Sequence, residues 1–384
     1  MTKPKLEPEN YWIVSEHADV VEVMKEENSS NNFFDHLDNP PKGWENTIRF
    51  KEKQELDAGG LDKRPFLFLD NPRHNEVKSH WMHLFVAKNV RELEPFVESL
   101  SKELLEKANL KDFDLIKDYT LPLLMGLTLK MLNIKEFYEQ KDRLLECAPI
   151  MSRAGAQGRE FLMKSKRSGE DYQEEIDWCI RLFTHIMIDR LSTPNGDLIS
   201  NLIHEEKMEL RDIGMTLAIV LTAGIDTLNT SFASAIISLS KDKELQEELR
   251  SLPLVSRTAI NEFLRTSIFS KGWGVVLKRD VVINDVEMQK GMYVWCDFAY
   301  ANRDPKVFPT PEVIWLERIH NPHVSFGSGI HTCLGALISQ MVMRVGLQNL
   351  LELTSDFNLL KEPELLDMGS QDVPLSVLLE LIKK

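Results

Sequence analysis

Cysteine is scarce: the 384 residues hold four, Cys147, Cys179, Cys296 and Cys333. No two lie close together, so neither a disulfide framework nor a clustered zinc site is expected, and a reducing compartment fits. Positive charge is in deficit. Lys and Arg number 46 against 60 Asp and Glu, a formal net charge of -14. That balance argues against nucleic-acid binding as the main role. No run approaches the ~20 apolar residues of a membrane span. The opening stretch, MTKPKLEPENYW, lacks the apolar core of a signal peptide. A cytoplasmic protein with no membrane partner is the expectation.

What is present is helical periodicity. Hydrophobic content is 43%, ordinary for a globular chain. Length alone suggests two or three domains, yet strand signals are short and scattered, and there is no internal repeat. Helices are expected over Ala18–Glu27, from His74 to Phe85, and over Leu93–Lys107, Leu121–Leu132, Glu174–Ile188 and Leu210–Leu239. Strands are expected at Tyr11–Val14, Asp112–Ile116, Val275–Lys278, Val281–Asn284 and Met292–Trp295. Residues Ser29 to Pro72 are polar and irregular, a loop long enough to suggest function. One domain over 1–384 is expected, mainly α with a smaller β portion.

The most informative stretch is Phe326-Gly327-Ser328-Gly329-Ile330-His331-Thr332-Cys333-Leu334-Gly335. Behind it Leu334, Leu337, Ile338, Met341, Val342 and Val345 recur at helical steps, which places Cys333 near a helix start. Amides and dipole there favour a thiolate, and the glycines allow a flat ligand to approach the backbone closely. A lone cysteine in apolar surroundings is ordinarily a small core residue. The glycines and His331 around this one point instead to an axial haem ligand.

These ten residues resemble the haem-binding loop of the cytochrome P450 family, Phe-Gly-x-Gly-x-His-x-Cys-x-Gly, at all six fixed positions. Three other segments resemble family motifs in the same order. Thr222-Ala223-Gly224-Ile225-Asp226-Thr227 is similar to the Ala/Gly-Gly-x-Asp/Glu-Thr motif of the central helix. Glu262-Phe263-Leu264-Arg265 is similar to Glu-x-x-Arg, and Asp70-Asn71-Pro72-Arg73-His74 with Lys78 to the helix that meets a haem propionate. Without the resemblance each has a plain reading: a buried helix with a back-bonded hydroxyl, an ion pair, a solvated helix face.

The resemblance implies the P450 triangular-prism fold, here with a short N-terminus of about ten residues before the first strand. It implies haem b held by Cys333 as axial ligand and cradled by Phe326, Gly327, Gly335 and Ala223, with propionates at His331, His74 and Lys78. Asp226 and Thr227 would deliver protons, and Glu262 and Arg265 would hold the core together. Ile219, Thr222, Lys271 and Trp273 would line the substrate pocket, beside a loop bearing Asp62, Lys63 and Arg64. Three family arginines have other residues in their places: Lys78, Val275 in a strand that ordinarily supplies a propionate arginine, and Val313 where the third member of the Glu-Arg-Arg triad is expected, with Arg318 as a substitute.

The activity implied is monooxygenation: one atom of O2 enters a C–H bond, with electrons from NAD(P)H passing through a separate ferredoxin reductase and ferredoxin. A locally basic run, His74, Lys78, His80, His83, Lys88 and Arg91, is the expected ferredoxin-docking face. The polar residues expected in the pocket favour a small polar substrate, with O-demethylation of a methoxy sugar or aromatic, releasing formaldehyde, as the candidate reaction. The alternatives are hydroxylation of a terpene, steroid or fatty acid, a peroxygenase of the same fold, a non-catalytic haem-binding protein, and an all-α interaction protein.

Overall fold

The structure, a computed structural model, describes residues 3–42, 65–157 and 171–384. Nine helices carry the argument: α1 (His17–Val23), α2 (Arg73–Met82), α3 (Ala87–Glu106), α4 (Leu121–Leu132), α5 (Lys141–Gln157), α6 (Gln173–Ser192), α7 (Leu210–Lys241), α8 (Arg257–Arg265) and α9 (Ala336–Leu353). Their starts follow local chemistry. The Ser256 hydroxyl, for example, accepts the Ala259 N–H at 3.0 Å and opens α8.

Five short strands form the main sheet: β1 (Lys5–Leu6), β2 (Trp12–Val14), β3 (Ser29–Ser30), β4 (Gly272–Leu277) and β5 (Tyr293–Asp297), in the order β1-β2-β5-β4-β3. β2 runs parallel to β5 with Trp12 opposite Val294, and the other pairs are antiparallel. The short N-terminus still supplies an edge, because Lys5 and Leu6 pair with Ile13 and Trp12. The irregular stretch after residue 29 is partly ordered, with β3, a helical turn at Phe33–His36 and a tighter one at Phe66–Phe68. Asp62, Lys63 and Arg64 lie outside the described residues.

The strand expected over Asp112–Ile116 is cut to Phe113–Asp114. The Asp114 carboxylate accepts the N–H groups of Ile116 and Lys117, which turns the chain into a wide helical turn over Leu115–Thr120.

The central helix α7 is long and apolar enough to cross a bilayer, yet it is wrapped by protein. Its first half, including Ile213, Leu217, Leu221 and Ile225, is buried in one apolar cluster with α4, α5 and α6. Its second half, from Leu228 to Leu239, joins another with α3, α8 and α9. Between the two, Ala223, Gly224 and Thr227 are exposed. An exposed face in the middle of a core helix marks an internal space, and the candidate site is built around it.

Candidate active site

The loop from Phe326 to Gly335 closes on itself. The Cys333 N–H donates to the Phe326 carbonyl at 2.9 Å and the Gly327 N–H to the Val324 carbonyl at 2.8 Å. Gly327 and Gly329 have φ of 71° and 74°. A Cβ on Gly329 would also stand 2.7 Å from the Met24 carbonyl oxygen, so dihedral and neighbour both demand glycine.

Cys333 opens into a cavity of about 310 Å³ bordered by Lys78, Met82, Phe85, Leu334 and Leu337. Burial pushes its thiol up, and the Gly335 N–H and Lys78 offset only part of this. The helix start lies a little beyond Cys333, since α9 begins at Ala336. A bound metal ion would deprotonate the thiol outright.

Beside the loop, His74 and His331 meet edge to face with ring centroids 4.5 Å apart. Both ring nitrogens of His331 are buried and have no hydrogen-bond partner among the described residues. Burial pushes this imidazole down to about 4. A buried imidazole with two orphaned nitrogens fits a site that a haem carboxylate completes. The Lys78 ammonium donates to the Ile330 carbonyl at 2.8 Å, which ties α2 to the loop and leaves two further N–H groups. Val275 is buried in β4 and carries no charge to the site. Lys278, one residue beyond that strand, stands near enough to act on both His331 and Asp70, and sequence reasoning passed over it.

Asp70 anchors this corner. Its carboxylate accepts the Ser30 hydroxyl at 2.5 Å and pairs with His36 at 2.6 Å. Burial alone would raise its pKa, but His36 and Ser30 lower it to about 2. The folded value lies below the ordinary 3.8, so the stabilisation is complete above 3.8 and is lost as pH falls towards 2. It should amount to about 2 kcal/mol. Asp70→Asn should flatten the acid limb of a stability–pH profile measured by urea unfolding. An unchanged acid limb would mean that this cluster carries no such load.

On α7, Gly224 has nothing within 4 Å of where a Cβ would stand, so its missing side chain widens the internal space rather than serving helix packing. Thr227 donates to the Ala223 carbonyl at 2.7 Å, and its oxygen remains able to accept. Ile219, one turn before Ala223, lies on the same side and is half-buried. Thr222 does not share that face. It is turned about 100° away, buried, and bonded to the Ala218 carbonyl.

Asp226 is 3% exposed. Burial raises its pKa, and Arg153 and Ser152, both on α5, counter this in part. Arg153 approaches one carboxylate oxygen at 3.4 Å. The other oxygen, and the Arg153 Nε, are buried and lack a hydrogen-bond partner of good geometry among the described residues. Sequence reasoning missed Arg153, which lies 73 residues from its partner.

Glu262 and Arg265 form a fully buried pair through two bonds of 2.7 and 2.8 Å. Arg318 completes a triad, its Nε 3.1 and 3.2 Å from the two Glu262 oxygens. The absence expected from Val313 is corrected: its side chain is exposed, while its carbonyl accepts from Arg265 at 3.2 Å.

Two expected pocket residues are occupied elsewhere. The Lys271 ammonium pairs with Asp367 at 3.0 Å and Asp372 at 2.7 Å in a C-terminal hairpin. The Trp273 indole donates to Asn31 at 3.1 Å and packs on the cluster beneath the sheet. Neither presents an unpaired polar group to a ligand.

A thiol at the wall of a cavity, a buried imidazole with two orphaned nitrogens and a bare stretch of helix are the features of this site that residues of the fold leave open. The family model for cytochrome P450 matches residues 159–365, and the chain belongs to that family. Its members bind haem and are monooxygenases. The chain is 27% identical over 363 residues to nocardicin C N-oxygenase of Nocardia uniformis subsp. tsuyamanensis, covering 93% of this chain and 85% of that protein. It is 25% identical over 376 residues to cytochrome P450 CYP107DY1 of Priestia megaterium, covering 92% and 85%. Among solved structures, the mycinamicin VIII C21 methyl hydroxylase MycCI of Micromonospora griseorubida superposes with a TM-score of 0.82 at 19% identity, covering 99% of this chain and 94% of that one. P450BioI, solved with a ligated acyl carrier protein, superposes at 0.80 and 21% identity, covering 97% and 92%. Both establish the fold.

Proposed function

We infer that this chain is a monooxygenase that inserts one atom of O2 into a C–H bond of a small polar molecule, and that Asp226 and Thr227 deliver the protons. The observation that carries the reading is a carboxyl and a hydroxyl side by side where the core of α7 opens. Haem bound against Cys333 would supply dioxygen activation and oxygen transfer. Cys333 would ligate its iron, and His331, His74 and Lys78 would hold its carboxylates. Thr227 donates its own hydrogen to the Ala223 carbonyl, so its oxygen is free to accept a hydrogen bond on the open side. Burial pushes the Asp226 carboxyl up against the pull of Arg153 and Ser152, which suits it to hold and pass on a proton. Ala223 and Gly224 keep the space beside them free of side chains.

The electrons come from NAD(P)H through a ferredoxin reductase and a ferredoxin, and the setting is cytoplasmic. The docking face is narrower than the basic run in the sequence suggested. His74 is buried, Lys78 is bonded to the loop, and His80 pairs with Glu206. Lys88 and Arg91 on α3 remain exposed. The polar-substrate reading loses Lys271 and Trp273, whose polar groups are engaged elsewhere, and keeps the exposed Thr227 hydroxyl. O-demethylation of a methoxylated substrate remains the reaction to assay, against hydroxylation of terpenes, steroids or fatty acids.

Thr227→Ala should bind haem and substrate normally, but product formed per NAD(P)H should fall several-fold while peroxide rises. The check is to measure product, peroxide and NAD(P)H in one reconstituted reaction. Unchanged coupling would remove Thr227 from proton delivery. Turnover with peroxide alone, and none with the ferredoxin system, would favour a peroxygenase.

A further inference from the structure

Between Asn302 and Ser328 the chain forms neither helix nor strand, so no backbone ladder holds the run that delivers the cysteine loop. From Ile319 to Phe326 a single backbone N–H, that of Val324, has an acceptor among the described residues, and the acceptor is the Asn302 side-chain oxygen at 2.8 Å. The nitrogen of the same amide donates to the Ser325 hydroxyl at 2.9 Å. That hydroxyl donates in turn to the Leu264 carbonyl on α8, also at 2.9 Å. Because the Ser325 proton is spent on Leu264, the hydroxyl can only accept from the amide, and the amide oxygen must face Val324. The Asn302 backbone is held as firmly. Its N–H donates to the Phe298 carbonyl at 2.9 Å, and its carbonyl accepts from Arg265 at 2.8 Å. Asn302 is 1% exposed, and each of its polar atoms is engaged. From there the path to the cysteine is short. The Val324 carbonyl accepts the Gly327 N–H, and the Phe326 carbonyl accepts the Cys333 N–H.

We propose that Asn302 is the positioning residue of the cysteine loop: it sets where Val324 and Ser325 stand, and through them the Phe326 carbonyl that takes the Cys333 N–H. The proposal rests on the haem-thiolate reading and adds to it a residue that acts through the loop. A buried N–H left without an acceptor costs free energy. Without the amide, the Val324 N–H would draw this run towards water or another partner, and no backbone ladder would oppose the shift. The loop would lose its single position, and the Cys333 sulfur would be presented over a spread of distances and angles. Outer partners that orient a metal ligand typically carry about 10–100-fold of metal affinity or activity.

The test uses the haem-loaded protein. Asn302→Leu keeps the size of the side chain and removes both of its hydrogen bonds. The share of haem that gives the thiolate-ligated Soret band in the dithionite-reduced, CO-bound protein should fall several-fold, and haem should pass to apomyoglobin about tenfold faster than from wild type. Asn302→Asp still offers an oxygen to the Val324 N–H and should restore part of both. Gln246→Leu is the control for a plain loss of stability. It removes another buried amide, bonded to the Leu239 carbonyl and to Arg250 rather than to the loop. Compared at equal folded fraction by far-ultraviolet circular dichroism, it should keep the wild-type band and transfer rate. If Asn302→Leu does not fold, Ser325→Ala should show the same two changes in smaller measure, since it removes the acceptor of the amide and the tie to Leu264; wild-type behaviour there would overturn the proposal. So would a wild-type band and transfer rate in Asn302→Leu, equal changes in Gln246→Leu, or an aspartate variant no better than the leucine one. Loss of the thiolate-ligated band in the wild-type protein would instead overturn the haem-thiolate reading beneath it.

Discussion

Cys333→Ala is expected to lose the thiolate-ligated Soret band of the dithionite-reduced, CO-bound protein and to bring turnover down to background. No other thiol can take its place. Cys147, Cys179 and Cys296 are wholly buried in apolar clusters. Burial pushes the thiols of Cys179 and Cys296 up to about 12, which makes them poor ligands as well as distant ones. The variant should still fold, since Cys333 packs against a cavity rather than a core. Absorption spectra, haem content and far-ultraviolet circular dichroism on the same preparation check this. A variant that kept both the spectrum and full activity would falsify the assignment of Cys333.

The second large effect is on stability. Arg265→Ala removes the closer cation from a carboxylate that is 0% exposed. Burial alone would raise the Glu262 pKa; Arg265, the Trp315 N–H and Arg318 together hold it below its ordinary value. Breaking a buried pair from one side typically costs about 3–5 kcal/mol. The loss also strips the Asn302 and Pro311 carbonyls of their Arg265 donor. Arg318→Ala should cost less, because Glu262 keeps its two bonds to Arg265. Urea unfolding of both variants should therefore rank them Arg265→Ala below Arg318→Ala below wild type. The reverse order would mean that Arg318 is the principal partner of Glu262.

The haem loop was legible because its information is local. Spacing alone placed Gly327, Gly329, His331 and Cys333 together, and their dihedrals and contacts agree. Helical periodicity placed α4 and most of α7 for the same reason. What remained hidden depends on pairing across the fold. Lys271 was expected at the pocket, but its partners Asp367 and Asp372 lie about a hundred residues on, in a hairpin whose docking the local sequence does not encode. Trp273 is held by Asn31, more than two hundred residues away. Arg318 stands five residues after the place where an arginine was expected, and only the path of the intervening chain brings it back onto Glu262. Asp114 shortened a strand by capping, a competition that strand periodicity alone does not reveal.

The contact under Gly329 has a genetic consequence. The atom that excludes a side chain there is the carbonyl oxygen of Met24, the residue that caps the end of α1, and not the methionine side chain. Every amino acid carries that oxygen. A loss of function caused by Gly329→Ala can therefore find no suppressor in a change of residue 24 alone. Relief has to come from substitutions that shift the end of α1 as a body, such as at Val20, whose carbonyl accepts the Met24 N–H. The cysteine loop is thus guarded by a neighbour that point mutation cannot remove, and in descendants of this chain glycine at 329 should outlast the identity of every residue packed around it.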